Sequence, residues 1–271
     1  MSNSVRTAAE AADDLSLALA MADAADAFTL PRFQQQNFTL GWKDDRTEVT
    51  EADRDCESLL ANMVLSARPH HGFFGEEHGL QGAADSPWRW IVDPIDGTSG
   101  FVRGIPVWAT LIALTHTDPV SRVSRVMTSV VAAPSLRRRW WASSGEGSFA
   151  DGRRCHVSQV AHIADAQVSI TFGSGWDQLG LTPQLAALAS EARRSRGFGD
   201  FWQHCLVAEG ALDVAVDAIG LGIYDIAAVR LIVEEAGGRF TDRHGVVTHE
   251  SNSAISTNGM LHDAVLSRLN S

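Results

Sequence analysis

The chain has 271 residues, of which 45% are hydrophobic and 20% are charged, and its formal net charge is −11. This composition is ordinary for a globular enzyme, and it supplies apolar residues for one large domain or two closely packed halves. The acidic balance argues against a nucleic-acid partner, because a nucleic-acid backbone is bound by a basic surface. No apolar run approaches the roughly 18 residues of a membrane span, so we expect no membrane partner.

Cysteine usage and the start of the chain predict a cytoplasmic protein. Cys56, Cys155 and Cys205 are far apart and form no CxxC pair, which suits a reducing compartment better than a disulfide scaffold. The first residues include acidic side chains and lack the basic-then-apolar pattern of a signal peptide.

Patterns in the first half predict helices packed against an antiparallel sheet. Apolar side chains at helical spacing predict a helix over residues 13–28, with Asp13 or Asp14 as its cap. The polar stretches at residues 41–48 and 78–87 predict loops. A second helix is expected over residues 50–67, and strands are expected at residues 73–74, 90–92, 107–116, 123–133 and 140–142.

The second half alternates strands and helices in a way that favours an α/β arrangement. The predicted strands cover residues 168–171 and 214–216, and the predicted helices cover residues 182–192, 197–210, 225–236 and 262–269. Gly237-Gly238 provides the left-handed cap of the third of these helices. A soft boundary near Gly152 divides the chain into residues 1–152 and 153–271, and the lack of a flexible linker predicts one compact unit.

Two aspartates follow the short apolar strand at residues 90–92. Asp93 and Asp96 flank Pro94, and Gly97-Thr98 follows directly. Carboxylates at the end of a buried strand are costly unless something compensates their charge. Hard divalent cations take carboxylate and carbonyl oxygens as ligands. This segment therefore predicts a metal site.

Further carboxylates stand at element boundaries, where a side chain can leave the core. Glu76-Glu77 follows an aromatic strand, Asp53 lies in the first turn of a helix, and Asp225 starts another helix. Each has an ordinary structural alternative: Asp53 suits a capping box, Asp225 an N-cap, and Glu76-Glu77 a solvated pair. Their co-occurrence favours a shared site, in which two ions about 4 Å apart could clamp the attacking and leaving oxygens.

The order of these motifs resembles the inositol monophosphatase family of magnesium-dependent, lithium-sensitive phosphate monoesterases. The resemblance covers the chain from about Leu17 to its end and implies a layered αβαβα sandwich, an α+β to α/β fold that is usually a homodimer. It is carried by Val49-Thr50-Glu51-Ala52-Asp53, Gly75-Glu76-Glu77, Asp93-Pro94-Ile95-Asp96-Gly97-Thr98 and Tyr224-Asp225-Ile226-Ala227-Ala228.

The resemblance also implies a role for each residue. Two or three Mg²⁺ ions would be held by Glu76, Asp93, Asp96, Asp225 and the Ile95 carbonyl. Asp53, Glu76 and Thr98 would orient and deprotonate the attacking water, and a metal would make hydroxide accessible near neutral pH. The backbone amides of Gly97 and Thr98 would hold phosphate oxygens. Lys43 matches a basic position near the entrance to the metal site, although a solvated loop lysine is an equally plausible reading.

Within the family the chain is most similar to bacterial histidinol-phosphate phosphatases of the actinobacterial type. The similarity is carried by residues 101–108, 138–142, 199–201, 205–210 and 257–262. It implies hydrolysis of histidinol phosphate in histidine biosynthesis, with Arg196, Asp200 and Asp217 facing the organic part of the substrate. Carboxylates suit a cationic amine and imidazole through charge-assisted hydrogen bonds.

Departures from the family pattern keep other substrates open. Ser99-Gly100 stands where a lysine and a polar residue are usual, Tyr224 replaces a tryptophan, and Asp217 lies one residue earlier than expected. The alternatives are a nucleoside monophosphate, an inositol phosphate or an amino-sugar phosphate in a specialised pathway. A sugar bisphosphate would need a second basic site. The arginines at residues 193–196 favour the solvated end of a helix, but they keep this substrate open. A non-catalytic binding protein is the remote alternative.

Overall fold

The computed structural model describes residues 7–43 and 47–271, and the chain forms two units, Met1–Ser144 and Gly145–Ser271. The sequence places the boundary near Gly152. Residues 44–46, in the middle of the first predicted loop, lie outside the described residues. No helix in the described ranges is long and apolar enough to cross a membrane.

The first unit combines helices with a sheet whose strands follow one another closely along the chain. Its helices are α1 (Ala8–Gln35), α2 (Glu51–Ala67) and α3 (Thr98–Val102). Its strands are β1 (Leu40–Trp42), β2 (Glu48–Thr50), β3 (Gly72–Gly75), β4 (Gly79–Gly82), β5 (Trp88–Asp96), β6 (Ala109–Thr117), β7 (Ser124–Ala133) and β8 (Arg138–Ser143).

Helix α1 is longer than the sequence predicts because its cap lies upstream of the expected one. The hydroxyl of Thr7 accepts from the Glu10 amide, and the Glu10 carboxylate accepts from the Thr7 amide, which completes a capping box. The prediction that Asp13 or Asp14 caps the helix is therefore wrong. Asp14 lies inside the helix and pairs with Arg68, whose guanidinium is 3.0 Å from its carboxylate.

The first-unit sheet runs in the order β4-β3-β5-β6-β7-β8, and only the β3–β5 pair is parallel. Helices α1 and α2 bury their apolar stripes against one face of it. The shared core contains Met21, Ala22, Leu60, Val64, Phe73, Trp90, Ile112 and Val130. Burial of this apolar area is the main force that fixes the helices on the sheet.

Two strand predictions in this unit need correction. Strand β5 does not end before Asp93 but continues through Pro94 to Asp96, because its pairing with β6 has a register shift between the two aspartates. Proline cannot donate to a ladder, so it is tolerated where the pairing is irregular. Strand β4 lies inside the loop predicted over residues 78–87, and its Gly-rich sequence carries no apolar alternation.

The second unit begins with the hairpin of β9 (Gly147–Ala150) and β10 (Arg153–Arg154), whose turn residues Asp151 and Gly152 both have positive φ. Its other strands are β11 (Gln167–Ile170), β12 (Arg194–Arg196), β13 (Val214–Val216), β14 (Arg239–Thr241) and β15 (Ile255–Thr257). Its helices are α4 (Ser174–Gln178), α5 (Thr182–Glu191), α6 (Asp200–Ala208), α7 (Ile223–Glu235) and α8 (His262–Leu269).

The second-unit sheet has the order β12-β11-β13-β15-β14 and mixes parallel with antiparallel pairs. Val168 and Ile255 point to the face covered by α5 and α8. Their neighbours Ser169 and Ser256 point to the opposite face, because side chains alternate along a strand. There the Ser169 hydroxyl donates to Gln203 Oε1 of α6 at 2.8 Å, and the Ser256 hydroxyl hydrogen-bonds to His204 Nδ1 at 2.8 Å.

Other differences from the predicted elements are local. Residues 193–196 are not the end of a helix, since β12 pairs in parallel with β11 at the edge of the sheet. Helix α4 lies between the predicted strand at residues 168–171 and the predicted helix at 182–192, where the sequence predicts no helix or strand, and α7 begins two residues before Asp225. Gly237 adopts φ 90° after α7, as the predicted left-handed cap requires.

Candidate active site

The segment at the end of β5 is fixed by hydrogen bonds on both sides. The amide of Ile95 donates to Asp93 Oδ1 at 2.9 Å, and the hydroxyl of Thr110 donates to the Pro94 carbonyl at 2.8 Å. The Ile95 side chain is fully buried in a small aromatic cluster. The backbone that carries Asp93 and Asp96 is therefore set by the scaffold before any ligand binds.

The carboxyl groups of Asp93 and Asp96, at the end of β5, lie close to that of Glu76, in the turn after β3. Asp93 and Asp96 are 1% and 8% exposed, and each offers an oxygen within 4.8 Å of the other's. The Glu76 carboxyl group lies beside Asp93, and burial raises the pKa of Glu76. A cation at this place would offset the cost of burying these carboxylates.

Lys43 supplies positive charge beside these groups. Its Nζ lies 2.6 Å from Glu76 Oε1 and 2.6 Å from Glu77 Oε1. Partial burial lowers the pKa of Lys43, but the two ion pairs outweigh burial and raise the pKa above its ordinary value. Lys43 therefore stays charged and is not a solvated loop lysine.

Asp53 uses its two oxygens for two different tasks. Its Oδ2 accepts from the Thr50 amide at 2.8 Å and from the Thr50 hydroxyl at 2.6 Å, which forms the capping box of α2. Its Oδ1 lies 3.1 Å from the Thr98 hydroxyl. Burial raises the pKa of Asp53 to about 6, against the Thr50 hydrogen bonds and with help from Glu77 and Glu76. The structural and the chemical interpretation of this residue are compatible.

The hydroxyl of Thr98 stands between two acceptors. It lies 3.1 Å from Asp53 Oδ1 and 3.0 Å from the Ile95 carbonyl. A hydroxyl carries one proton, so it donates to one of these acceptors at a time. When the Thr98 hydroxyl donates to the Asp53 carboxylate, its oxygen can accept a hydrogen bond from a third group. The Ile95 carbonyl is then available to another partner.

The donor set in this unit suits a hard divalent cation. Its atoms are carboxylate oxygens of Glu76, Asp93 and Asp96 and a backbone carbonyl, which are the ligands that Mg²⁺, Ca²⁺ and Mn²⁺ prefer. Burial raises the pKa of Glu76 even though Lys43 pairs with it, so a further positive charge beside these carboxylates is favourable. The residues therefore fit the metal that the family resemblance implies.

The unusual pair after Thr98 has a structural explanation. Arg103 donates to the Ser99 carbonyl at 3.0 Å and to its hydroxyl at 2.6 Å, and it pairs with Glu48 at 2.8 Å. A side chain at Gly100 would meet the Val107 carbonyl at 3.2 Å. Ser99-Gly100 thus fits α3 against its neighbours, and the positive charge lies one helical turn further along, on Arg103.

In the second unit Asp217 belongs to a buried network. His204 is 2% exposed; its Nδ1 lies 2.8 Å from Ser256 Oγ and its Nε2 lies 3.0 Å from Asp217 Oδ2. Asp217 Oδ1 accepts from the Ala218 amide at 2.8 Å. Both oxygens of the carboxylate are thereby oriented by the protein, so Asp217 presents a fixed group.

Asp200 is strained and electrostatically perturbed. It occupies the first position of α6 with φ 47°, directly after Gly199 with φ 74°. Asp200 is exposed, but desolvation by the surrounding protein and the nearby Asp217 carboxylate raise its pKa to about 6, against the opposing influence of His204. Strain and a perturbed pKa together are typical of functional positions.

Arg196 lies on the edge strand β12 and borders a cavity of about 430 Å³. Arg194, Phe198 and Trp202 line the same cavity. Among the described residues no ion pair joins Arg196 to Asp200, so the structure does not bring these two predicted substrate residues together directly.

Asp225 lies at the third position of α7, not at the N-cap that its structural alternative proposed. Its Oδ2 accepts from the Gly222 amide at 2.6 Å, so one oxygen caps the helix start. Like Asp53, Asp225 caps the start of its helix through one oxygen of its carboxylate.

Two buried polar residues near these groups carry no signal in the sequence. Glu57 is fully buried four residues after Asp53, and His204 is buried thirteen residues before Asp217. The spacing of Glu57 is that of an ordinary helix surface. The histidines show no ligand spacing such as HxxxH, so His204 could be found only through the contacts that the fold creates.

The fold and the acidic site together define a metal-dependent hydrolase of layered α+β architecture. A model of the inositol monophosphatase family matches residues 7–271, and the chain therefore belongs to this family of phosphoric monoester hydrolases. The fold prediction and the family prediction are confirmed.

Several relatives match over nearly the whole chain. The chain is 48% identical to a histidinol-phosphatase of Mycobacterium tuberculosis, with 95% of this chain and 98% of the relative covered. It is 42% identical to a histidinol-phosphatase of Streptomyces coelicolor, with 95% and 97% covered. The solved extragenic suppressor protein suhB of Bartonella henselae is similar with a TM-score of 0.85 and 29% identity, with 95% and 98% covered.

The perturbed carboxylate of Asp200 predicts a pH-dependent gain of stability in Asp200→Asn. A raised pKa means that the ionised form destabilises the folded state. The penalty is complete above pH about 6 and vanishes below the ordinary value of 3.8. Asparagine tolerates the positive φ. Because Asp200 is exposed and solvent screens its charge, thermal denaturation at pH 7.5 should show the variant melting only about 1 °C higher. The difference should disappear at pH 3.5, and an equal or lower melting temperature at pH 7.5 would contradict the electrostatics.

Proposed function

We propose that this chain hydrolyses a small phosphate monoester in a reaction that requires Mg²⁺, and that its substrate is histidinol phosphate. The observation that carries the reaction is the hydrogen bond between Thr98 and Asp53, beside the carboxyl pair of Glu76 and Asp93. A proton acceptor and a cation site in such proximity are what hydrolysis by an activated water needs.

The chain's own groups divide the work. Thr98 accepts a proton from the attacking water and passes its own proton to Asp53, whose buried carboxylate has a pKa of about 6. Glu76 orients the water from the side of Asp93. The amides of Gly97 and Thr98 hold phosphate oxygens, and Gly97 adopts φ 86° to present them. Lys43 adds a positive charge at the entrance. Phosphoryl transfer depends mainly on such positioning and charge neutralisation.

The ligand set that we propose contains Glu76, Asp93, Asp96, the Ile95 carbonyl and Asp225, with two or three ions. In the first unit the support is the oxygen-only donor set, and for Asp225 it is the match of Tyr224-Asp225-Ile226-Ala227-Ala228 to the family motif. When bound, the ions would neutralise phosphate charge and lower the pKa of water. Lithium sensitivity would follow from the family membership.

Histidinol phosphate is favoured by the two relatives at 48% and 42% identity, both named histidinol-phosphatase. The chemistry of the second unit agrees with a cationic organic group. Asp217 is oriented by His204 and the Ala218 amide, and Asp200 lies near it with a raised pKa. Two carboxylates that repel each other gain stability when an ammonium or imidazolium binds between them.

One observation favours a second candidate. Arg194 and Arg196 stand two residues apart on β12 and line the same cavity, so they could receive a second anionic group. A sugar bisphosphate is therefore a second candidate substrate.

The setting follows from the substrate. We propose a cytoplasmic homodimer that acts in histidine biosynthesis, with no nucleic-acid or membrane partner. The support is the net charge of −11, the three free cysteines in the described chain, and the homologous histidinol-phosphatases.

The substrate is tested by phosphate release from a panel: histidinol phosphate, inositol 1-phosphate, a nucleoside monophosphate, an amino-sugar phosphate and a sugar bisphosphate. We expect kcat/KM for histidinol phosphate to exceed the others by about 10–100-fold, because a hydrogen bond to a charged group contributes about 1.5–3 kcal/mol. Faster turnover of any other ester would reject histidinol phosphate. Asp217→Asn should reduce the preference while leaving the rate with inositol 1-phosphate within a few fold.

The metal assignment is tested by Asp93→Asn. Loss of a ligand should reduce Mg²⁺-dependent turnover by more than about 100-fold, because changes outside the ligand shell already cost 10–100-fold. The variant should stay folded by circular dichroism, since it removes a repelled buried charge. Asp85→Asn is the matched control, because Asp85 is exposed and precedes the same strand. Turnover near the wild-type level in Asp93→Asn would exclude Asp93 as a ligand.

A further inference from the structure

Glu57 is a fully buried carboxylate that the proposed reaction does not use. It lies on α2 one turn after Asp53, and its side chain has no exposed surface. A buried carboxylate is costly unless hydrogen bonds compensate it. Its partners therefore reveal what the chain gains from placing a glutamate here.

All hydrogen-bond partners of Glu57 in the described structure lie in the turn that follows Glu76. The Glu77 amide donates to Oε2 at 2.7 Å, and the His78 amide donates to Oε1 at 2.8 Å. The ring nitrogen Nδ1 of His78 also lies 2.9 Å from Oε1. The Glu77 amide belongs to the peptide group that Glu76 begins, so Glu57 fixes the backbone of Glu76 on its C-terminal side.

The other side of Glu76 is fixed by β5. The Glu76 amide donates to the Val92 carbonyl at 3.2 Å, one residue before Asp93. Glu76 is therefore held between α2 and the strand that carries the aspartates, with its carboxyl group beside Asp93.

Gly75 fits this arrangement by leaving space. A Cβ at position 75 would lie 2.1 Å from Glu57 Cδ and 2.3 Å from each of its carboxylate oxygens. The Glu57 carboxylate thus occupies the volume of the missing side chain. Gly75 and Glu57 form one matched pair, and the glycine in Gly75-Glu76-Glu77 is required by the approach of that carboxylate.

We propose that Glu57 is a positioning residue for the cation site: through the amides of Glu77 and His78 it holds Glu76 in the orientation that binds a divalent cation together with Asp93. The inference rests on the proposed function of Glu76 as a ligand. Glu57 itself touches no ligand. Outer groups that orient metal ligands typically change metal affinity or activity by 10–100-fold when they are removed.

A purely structural role would give a different result. If Glu57 only joined α2 to the turn after β3, its loss would lower the melting temperature and leave the cation affinity of the folded protein unchanged. The test must therefore measure cation binding and the order of the turn as well as activity.

The variant Glu57→Gln removes the charge and places an NH₂ group against one of the two donating amides. The expected result is a 10–100-fold rise in the Mg²⁺ concentration for half-maximal thermal stabilisation, with the same rise for activity. KM for the phosphate ester at saturating Mg²⁺ should change by less than about 3-fold. Glu51→Gln is the matched control, because Glu51 is exposed on the same helix and its loss should change neither Mg²⁺ concentration. An unchanged Mg²⁺ concentration in folded Glu57→Gln would overturn the proposal.

A measurement on the wild-type protein keeps the test decisive if the variant does not fold. Hydrogen exchange of the full chain in EDTA should show the amides of Glu77 and His78 protected without any cation, because Glu57 holds them. Rapid exchange of both amides in the folded protein would refute the role of Glu57. If wild type is not stabilised by Mg²⁺ at all, the proposed function fails, whereas equal stabilisation of wild type and Glu57→Gln rejects the role of Glu57 alone.

Discussion

The repulsion among buried carboxylates governs the first unit. Asp53, Glu76, Glu77 and Asp93 lie close enough to influence one another, and Lys43 forms ion pairs with Glu76 and Glu77. Burial raises the pKa of Asp53 to about 6 and raises that of Glu76, so the folded chain bears an electrostatic cost near neutral pH. A bound divalent cation would remove this cost, so the stability and the proposed function of this unit would depend on the same charges.

The scaffold holds these charges in place through ordinary interactions. Apolar burial sets α1 and α2 on the sheet, and local hydrogen bonds then fix each carboxylate: Asp53 by the capping box of α2, Asp93 by the Ile95 amide, and Glu76 by its neighbours in the turn. In Asp53 one oxygen caps the helix while the other lies beside the Thr98 hydroxyl. Similar interactions occur in the second unit, where Asp225 caps α7 and Asp217 is oriented by a buried histidine.

Sequence reasoning was most successful where a local pattern determines the outcome. The ends of α2 and α8, the strand at β7 and the family motif around Asp93 follow from capping residues, periodicity and a specific spacing. It failed at β4, where glycines hide an edge strand, and at β12, where charged residues pair only because β11 lies beside them. Glu57 and His204 could not be predicted, because their significance arises from contacts between residues distant in sequence.

The central claim is that the acidic cluster binds a divalent cation, and the most direct measurement is the melting temperature of the wild-type chain as Mg²⁺ is added after chelation. A ligand that binds only the folded state stabilises it by about 2.7 kcal/mol at a hundredfold excess over its Kd, so the melting temperature should rise steadily with the logarithm of the Mg²⁺ concentration. The same ionic strength supplied as NaCl should not reproduce the rise. A melting temperature that is independent of Mg²⁺, or that rises equally with NaCl, would contradict the account.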